Sequence, residues 1–187
     1  MVPMVIRPER PGEEATIRAL NDAAFGEPLS GSILDAIRGT DRWIDGGSLV
    51  AEDAEGRIIG HVFLSQGDLE ADDRPARRIW MLGPLAVLPE VQRRGIGSAL
   101  MRAAIELATS RGEPVICLLG HATYYPRFGF EPARGIGIEP PRPWRDANWM
   151  AIRLPAWTPD VRGVASFPPA FPDSQRTRAT SLPTSGS

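Results

Sequence analysis

Proline is spread unevenly along this chain of 187 residues, and its distribution limits where regular helices and central strands can lie. Eight of the nineteen prolines fall within residues 1–125, and eleven fall within residues 126–187. Because proline lacks the backbone N–H that a helix interior or a central strand uses, it is confined mainly to first turns, loops and sheet edges. We therefore expect the regular elements mainly in the first two thirds of the chain, and loops and edge strands in the last third.

Hydrophobic periodicity predicts a mixed α/β fold. The predicted strands cover 5–7, 49–53, 58–65, 78–87, 114–119, 130–138 and 149–154, and the predicted helices cover 12–25, 32–37, 95–111 and 123–128. Antiparallel strands come first and a strand–helix–strand crossover follows, so we expect a single domain with a mixed, mostly antiparallel sheet flanked by helices. This domain is predicted to span residues 4–172, and the polar segment 173–187 is predicted to form a flexible tail.

Composition excludes several kinds of chemistry. All 21 basic residues are arginine, so the chain has neither a P-loop lysine nor a Schiff-base lysine. The formal net charge of −2 argues against a nucleic acid or an anionic membrane as a partner. His61, His121 and Cys117 are too few for a zinc cluster or a disulfide framework, so no metal is predicted. A cytoplasmic location is expected, because residues 1–9 lack the apolar core of a signal peptide and residues 79–88 are too few to span a bilayer.

Residues 82–100 carry the strongest chemical signal, with the sequence LGPLAVLPEVQRRGIGSAL. An apolar strand is followed by a turn and by a Gln-Arg-Arg-Gly-Ile-Gly segment, residues 92–97, at the start of a helix. Backbone N–H groups at a helix N-terminus bind anions, and glycines let an anion approach the main chain. Two arginines at a helix end that disfavours cations also suit a bound polyanion. The alternative is a solvated arginine pair beside a glycine-rich turn. A dinucleotide fingerprint is excluded, because Leu100 stands where its third glycine is required.

The Gln-x-x-Gly-x-Gly pattern of residues 92–97 resembles the acyl-CoA-binding motif of the GCN5-related N-acetyltransferase (GNAT) family. Downstream, residues 120–130 have the sequence GHATYYPRFGF, which is similar to the Tyr-x-x-x-Gly-Phe segment of the same family and resembles in particular a bacterial branch whose substrates are unknown. The resemblance implies the acyl-CoA N-acyltransferase (GNAT) fold, with acetyl-CoA as cosubstrate.

The resemblance also implies which residues bind that cosubstrate. In the family, a break in the strand before the motif splays two parallel strands, and the pantetheine arm lies in the gap. Gly83-Pro84 is the corresponding break in this sequence. The implied cofactor-binding residues are Leu85, Ala86 and Val87, whose main chain pairs with the pantetheine amides, and then Gln92, Arg93, Arg94, Gly95, Ile96, Gly97 and Ser98, whose backbone amides hold the pyrophosphate.

The implied reaction is direct attack of a neutral amine on the thioester of acetyl-CoA. Tyr125 is implied as the acid that protonates the departing thiolate, since a phenol's pKa of about 10 lies above a thiol's roughly 8.5. Tyr124 is the alternative acid, and both rings could instead only pack the short helix. For the base that deprotonates the amine, His121, Glu52 and water all remain open.

The acceptor is predicted only as a small-molecule or peptide amine. Its pocket is expected between the N-terminal helices and the C-terminal strands, with residues 140–144 at its border. A homodimer through the C-terminal strands is a further expectation. The rival hypotheses are a non-catalytic acyl-CoA-binding or sensing module of the same fold and a plain structural partner domain.

Overall fold

The computed structural model describes residues 4–26 and 29–171, so residue 172 of the predicted domain and the predicted tail, residues 173–187, lie outside the described part. The helices of this part are α1 (Glu14–Phe25), α2 (Leu29–Ile37) and α3 (Ile96–Ser110). Its strands are β1 (Met4–Pro8), β2 (Trp43–Asp53), β3 (Ile58–Ala71), β4 (Arg74–Val87), β5 (Val115–Leu119), β6 (Glu131–Pro132), β7 (Ile138–Glu139), β8 (Trp149–Arg153) and β9 (Gly163–Ser166).

All the strands belong to one sheet, whose main order is β1-β2-β3-β4-β5-β8-β6. Neighbours along this order are antiparallel except β4 and β5, which are parallel and are connected by α3. β9 lies off this path and pairs with β3 and β7. The mixed, mostly antiparallel sheet flanked by helices confirms the predicted fold class.

Helices cover both faces of the sheet. On one face α3 packs through Ile96, Leu100 and Met101 against a buried cluster that includes Val62. On the other face α1 and α2 pack against a cluster that includes Phe63, the next residue of β3. Successive side chains of a strand point to opposite faces, which explains how one strand serves both clusters. No helix of the described part is both long and apolar enough to cross a membrane.

The C-terminal third differs from the prediction in detail. The single strand expected over 130–138 is two short strands, β6 and β7, separated by a 3₁₀ turn over Ala133–Ile136. Gly137 ends this turn with φ +83°, a left-handed conformation that interrupts an extended strand. The helix expected over 123–128 is a 3₁₀ turn over Tyr125–Phe128, and β9 was not predicted.

β4 changes register at the predicted break. Val62 pairs with Leu85 and Leu64 pairs with Leu82, so β4 contains one residue more than β3 across this interval. The extra residue falls at Gly83-Pro84, where proline offers no N–H to a sheet partner. Beyond this bulge β4 leaves the line of its parallel neighbour β5, and this divergence creates the candidate site.

Candidate functional site

A cleft of about 1540 Å³ opens where β4 and β5 stop pairing. One side is formed by the end of β4 and the start of α3, and the other by the end of β5 and the turn that follows it. The cleft brings together nearly all the predicted site residues, namely Leu85, Ala86, Val87, Gln92, Arg93, Gly95, Ile96, Gly97, Ser98 and Tyr125. Arg94 does not line it and is exposed on the loop.

The edge of β4 that faces β5 is open beyond Met81. In these two fully described strands only two residue pairs face each other, Trp80 with Ile116 and Met81 with Cys117. The opposite edge of β4 pairs with β3 as far as Val87. An extended, amide-containing ligand can therefore add to β4 as a further strand on the cleft side.

The N-terminus of α3 opens into the same cleft without a side-chain cap. Gly95 and Arg93 have φ +88° and +62°, so the loop turns sharply before the helix begins. The N–H of Gln92 donates to the carbonyl oxygen of Pro89 at 3.4 Å, whereas the N–H groups of residues 93–98 find no acceptor in the described ranges. Unpartnered amides at the positive end of a helix dipole form a binding site for phosphate oxygens.

Gln92 also positions the loop relative to β4. Its side-chain Nε2 donates to the carbonyl oxygen of Val87 at 3.1 Å. This bond joins the two parts of the site that the sequence predicted separately, the strand edge and the helix N-terminus.

Tyr125 lies against the end of β5, where it also lines the cleft. A Cβ atom added to Gly120 would come within 2.2 Å of Tyr125 Cε2, so the ring occupies space that only glycine leaves free. On its other side the ring meets Phe130 edge to face, with 5.8 Å between centroids. Burial, and to a smaller extent the neighbouring Tyr124, raise the pKa of Tyr125 to about 12, so its phenol stays protonated at neutral pH.

Tyr124 lies nearer to α3. Its hydroxyl would be 3.0 Å from a Cβ atom placed on Gly97, in the first turn of the helix. The Arg127 guanidinium carbon lies 4.7 Å from the centre of the Tyr124 ring, and the rings of Tyr124 and Tyr125 are 5.1 Å apart. The two tyrosines therefore extend from the helix N-terminus to the end of β5.

The two side chains considered as the base, His121 and Glu52, differ in their position relative to the cleft. His121 is exposed and lines the cleft. Glu52 does not line it, because this carboxylate lies on β2, where it accepts a hydrogen bond from Arg7 Nε at 2.8 Å. The cleft therefore retains His121 and water as candidates.

His61 is fully buried and lies outside the cleft lining. Asn21 Nδ2 donates to its Nδ1 at 3.0 Å, and in the matching tautomer its Nε2–H donates to Ser48 Oγ at 2.9 Å. Ser48 in turn donates to Glu9, which also accepts from Arg38. Burial, assisted by the Arg38 charge, lowers the pKa of His61 to about 3, so the ring is neutral.

This buried histidine predicts a loss of stability in mild acid. Between pH 6.5 and about 3 the His61 imidazole is protonated in the unfolded chain but not in the folded chain, so the unfolding free energy falls as pH falls. The slope from this group is about 1.4 kcal/mol per pH unit. We expect His61→Gln, which keeps a donor and an acceptor at this position, to remove that part of the slope. Urea denaturation of both proteins at pH 6 and pH 4.5 measures it, and equal slopes would contradict the assignment.

Cys117 is fully buried in β5. Burial raises its pKa, so the reactive thiolate is disfavoured. Within the described residues, no group of three or more His, Cys, Asp or Glu side chains is arranged to hold a metal ion.

The rest of the cleft wall includes residues that the sequence did not identify. Residues 140–144 do border the cleft, as expected, through Pro141, Arg142 and Trp144. The unforeseen apolar residues include Phe25, Ile33, Phe167 and Phe171, and the unforeseen polar residues include Asp68, Arg127, Arg145, Asn148 and Ser166. The only available signal was the Phe-Pro-Pro-Ala-Phe sequence of residues 167–171, whose aromatic side chains precede or follow prolines.

Comparison with known proteins finds similarity over this same region. A family model for an acetyltransferase (GNAT) domain matches residues 45–132, a range that contains every predicted site residue. The chain is 35% identical over 149 residues to the uncharacterised N-acetyltransferase YjhQ of Escherichia coli K12, covering 77% of this chain and 81% of that protein. It is 31% identical over 152 residues to the uncharacterised N-acetyltransferase YhbS of the same strain, covering 81% and 87%.

Two solved structures share the architecture over nearly their whole length. The GNAT family N-acetyltransferase YhbS from Escherichia coli, in complex with CoA, superimposes with a TM-score of 0.77 at 25% identity, covering 91% of this chain and 93% of that one. A GNAT family acetyltransferase from Brucella melitensis, in complex with acetyl-CoA, gives a TM-score of 0.74 at 29% identity, covering 92% and 100%.

Proposed function

The chain belongs to the GNAT family of acetyltransferases, and from this premise we propose that it transfers the acetyl group of acetyl-CoA to an amine by direct attack. The observation that carries the proposal is the continuous cleft that joins an open strand edge, an uncapped helix N-terminus and Tyr125. A strand edge suits the amides of a pantetheine arm, and a helix N-terminus suits a pyrophosphate.

The amides of residues 93–98 are proposed to hold the pyrophosphate, and the backbone of Leu85, Ala86 and Val87 to pair with the pantetheine amides. Support comes from the absence of acceptors for those amides in the described chain and from the open edge of β4. Arg93 lines the cleft and pairs with no Asp or Glu of the described chain, so its charge is available to the phosphates. Arg94, exposed beside it, adds charge at longer range.

Tyr125 is proposed to protonate the sulfur that leaves. Its phenol is protonated at every pH at which the enzyme would work, because its pKa is raised to about 12. That value lies above the roughly 8.5 of a thiol, so proton transfer to a free thiolate is uphill. The phenol instead donates a hydrogen bond to sulfur and gives up its proton as the carbon–sulfur bond breaks, and the proton lost by the amine replaces it, which leaves amide and free thiol. The acetyl-CoA thioester supplies the electrophilic carbonyl carbon.

The amine must lose a proton to attack, since an alkylamine has a pKa near roughly 10. His121 is proposed as the first acceptor of that proton, directly or through water, because it lines the cleft while Glu52 is bound to Arg7 on another strand.

Thiol release tests the proposal. Acetyl-CoA is incubated with the protein and a panel of amines, free thiol is followed with a colour reagent, and acetylated product is identified by mass spectrometry. We expect amine-dependent thiol release with matching product. Binding of CoA without thiol release from any amine would favour the non-catalytic sensing module, and no binding at millimolar CoA would end the proposal.

Gly120 supplies a prediction about positioning the acid. In Gly120→Ala the new Cβ would overlap the Tyr125 ring, which must move. We expect kcat to fall by about 10-fold or more, because a shifted donor loses part of the contribution of a positioned acid, while KM for acetyl-CoA changes little. Gly135→Ala is the matched control, since a Cβ there has nothing within 4 Å. Equal rates for the two variants would show that the ring's position is not critical.

A further inference from the structure

We propose that the amine acceptor also carries an anionic group, a carboxylate or a phosphate, bound by Arg142 and Arg145. The inference rests on the proposed function for the amine, and adds a second recognition element to the same cleft. It comes from the distribution of charge around the cleft and from the way the main chain presents these two side chains.

Most arginines of the described chain already have an anionic partner. Of the nineteen arginines in this part, twelve form ion pairs with Asp or Glu. Three others lie over aromatic rings, namely Arg102, Arg111 and Arg127. The four that remain without a side-chain partner among the described residues are Arg93, Arg94, Arg142 and Arg145. They form two pairs. Arg93 and Arg94 belong to the proposed pyrophosphate loop, and Arg142 and Arg145 line another part of the cleft.

The acidic residues nearest in sequence do not neutralise the second pair. Glu139 accepts a hydrogen bond from Arg134, and Asp146 lies 2.5 Å from Nε of the same arginine. Arg134 therefore holds both carboxylates of this segment, although Arg142 and Arg145 lie between them in the chain. The positive charge of Arg142 and Arg145 is therefore not neutralised by these two acids where it faces the cleft.

The acid in the cleft wall is likewise engaged. Asp68 lies 2.7 Å from Arg42 and 3.5 Å from Arg78 through its two carboxylate oxygens, and those arginines are not part of the lining. A carboxylate between two guanidinium groups attracts a third cation weakly, so among the described residues no acid of the cleft wall neutralises Arg142 and Arg145.

The segment that carries the arginines is anchored, so their positions are defined. The N–H of Trp144 donates to the carbonyl oxygen of Arg142 at 2.7 Å, and the N–H of Asn148 donates to that of Arg145 at 3.0 Å. Trp144 is buried against Trp149, with 5.5 Å between ring centroids. The main chain is thus fixed, while both arginine residues are exposed.

A chain of contacts separates the arginine pair from the pyrophosphate loop. Gly97 lies beside the hydroxyl of Tyr124, Tyr124 meets Tyr125, and Tyr125 rests on Gly120. Asn148 Nδ2 then donates to the carbonyl oxygen of Gly120 at 2.8 Å. Arg145, three residues before Asn148, is therefore connected to the pyrophosphate loop by way of the proposed acid, and we place the attacking amine between the two.

Carboxylates and phosphates match this arrangement chemically. A guanidinium group donates two parallel hydrogen bonds to such an anion, and two guanidinium groups can share one. The neighbouring wall of Phe167 and Trp144 suits the apolar part of an acceptor. An acceptor of this class has an amine that reaches the thioester and an acid group that stays at the rim.

Matched amines provide the test. The carboxylate arm compares phenylalanine with phenylalaninamide, and the phosphate arm compares 2-aminoethyl phosphate with ethanolamine. Each amine is assayed for thiol release from acetyl-CoA, and each is titrated by calorimetry into protein saturated with CoA, where no reaction occurs. We expect the charged member of at least one arm to bind the CoA complex at least 10-fold more tightly than its neutral partner.

Arg142→Gln and Arg145→Gln should each weaken that charged ligand by about 10- to 100-fold, the range for a hydrogen bond to a charged group, and leave CoA affinity unchanged. Arg162→Gln is the matched control, because it removes an exposed arginine that pairs with Asp73 outside the cleft. Arg145→Lys should restore part of the affinity by charge alone.

Each outcome of these measurements either supports or overturns the inference. Charged and neutral members that bind equally, or fail to bind in both arms, overturn the inference whether or not acetyl is transferred. Weaker CoA binding in the two variants overturns it too, since the arginines would then serve the cosubstrate. Arginine-dependent binding of a charged amine, with no thiol release from it or from any amine of the panel, supports the inference and instead overturns the proposed function.

Discussion

Replacing Tyr125 with phenylalanine is expected to lower kcat by about 10²–10⁴-fold, the usual contribution of a positioned general acid. Affinity for acetyl-CoA should stay the same, because the ring that rests on Gly120 and Phe130 is retained and only the hydroxyl is lost. The interaction with sulfur is made in the transition state, so the loss belongs in kcat rather than in KM. Steady-state thiol release and calorimetry with CoA measure the two quantities separately.

Tyr124→Phe is the matched control, and we expect it to stay active. Its hydroxyl lies beside Gly97 at the helix N-terminus, whereas Tyr125 rests on the end of β5. A large loss in Tyr124→Phe with an active Tyr125→Phe would assign the acid to the other ring. Near-normal rates in both variants would mean that water protonates the thiolate.

The pH profile gives an independent check on the same acid. Because the pKa of Tyr125 is raised to about 12, its ionisation should cause no decline in rate up to pH 10. Over that range the rate should instead rise as more of the amine is neutral. A decline that begins near pH 9 and disappears in Tyr125→Phe would contradict the raised pKa.

The parts of the site that are contiguous in sequence could be predicted from it. Residues 92–98 combine glycines, a strand before them and an apolar helical stripe after them, and all these signals are local. The break at Gly83-Pro84 was predictable for the same reason, since proline cannot donate to a ladder wherever the strand lies. The role of Tyr125 could be predicted only from the family resemblance, because the position of a tyrosine in the sequence does not by itself indicate a catalytic role.

On the side of the cleft that is proposed to receive the acceptor, only residues 140–144 could be predicted, because tertiary pairing creates the rest. β9 joins the sheet through Asp68 with Ser166 and Glu70 with Val164, partners almost a hundred residues apart. This pairing brings Phe167 to the cleft. The four residues of β9 carry no local pattern from which the pairing could be predicted. The availability of Arg142 and Arg145 depends likewise on Arg134 capturing the local acids.

The buried histidine shows the same limit for electrostatics. His61 lies in a nearly continuous apolar run, residues 58–64, which does not by itself show how completely a histidine is buried. Its complete burial follows from Asn21 on α1 and Ser48 on β2, two earlier elements of the chain that bond one ring nitrogen each. Sequence identifies a residue that can titrate near neutrality, but only packing decides whether it does.

Replacing Gly97 with glutamate is expected to weaken CoA binding by at least about 100-fold while the fold stays intact. Gly97 lies in the first turn of α3, among the unpartnered amides that are proposed to hold the pyrophosphate. A carboxylate there both fills the phosphate position and repels its charge, so the two effects act in the same direction. Calorimetry measures CoA affinity, and thermal unfolding reports on the fold.

Two further variants separate space from charge. In Gly97→Ala the Cβ would lie 3.0 Å from the Tyr124 hydroxyl, a contact that a small movement of that side chain relieves, so CoA affinity should fall far less than in Gly97→Glu. Thr109→Glu adds the same charge to the exposed last turn of α3 and should leave CoA affinity unchanged. Because repulsion is screened by salt, raising the ionic strength should recover part of the loss in Gly97→Glu but none of the loss in Gly97→Ala. A folded Gly97→Glu protein with normal CoA affinity would remove the pyrophosphate from this turn, and with it the basis for placing the thioester beside Tyr125.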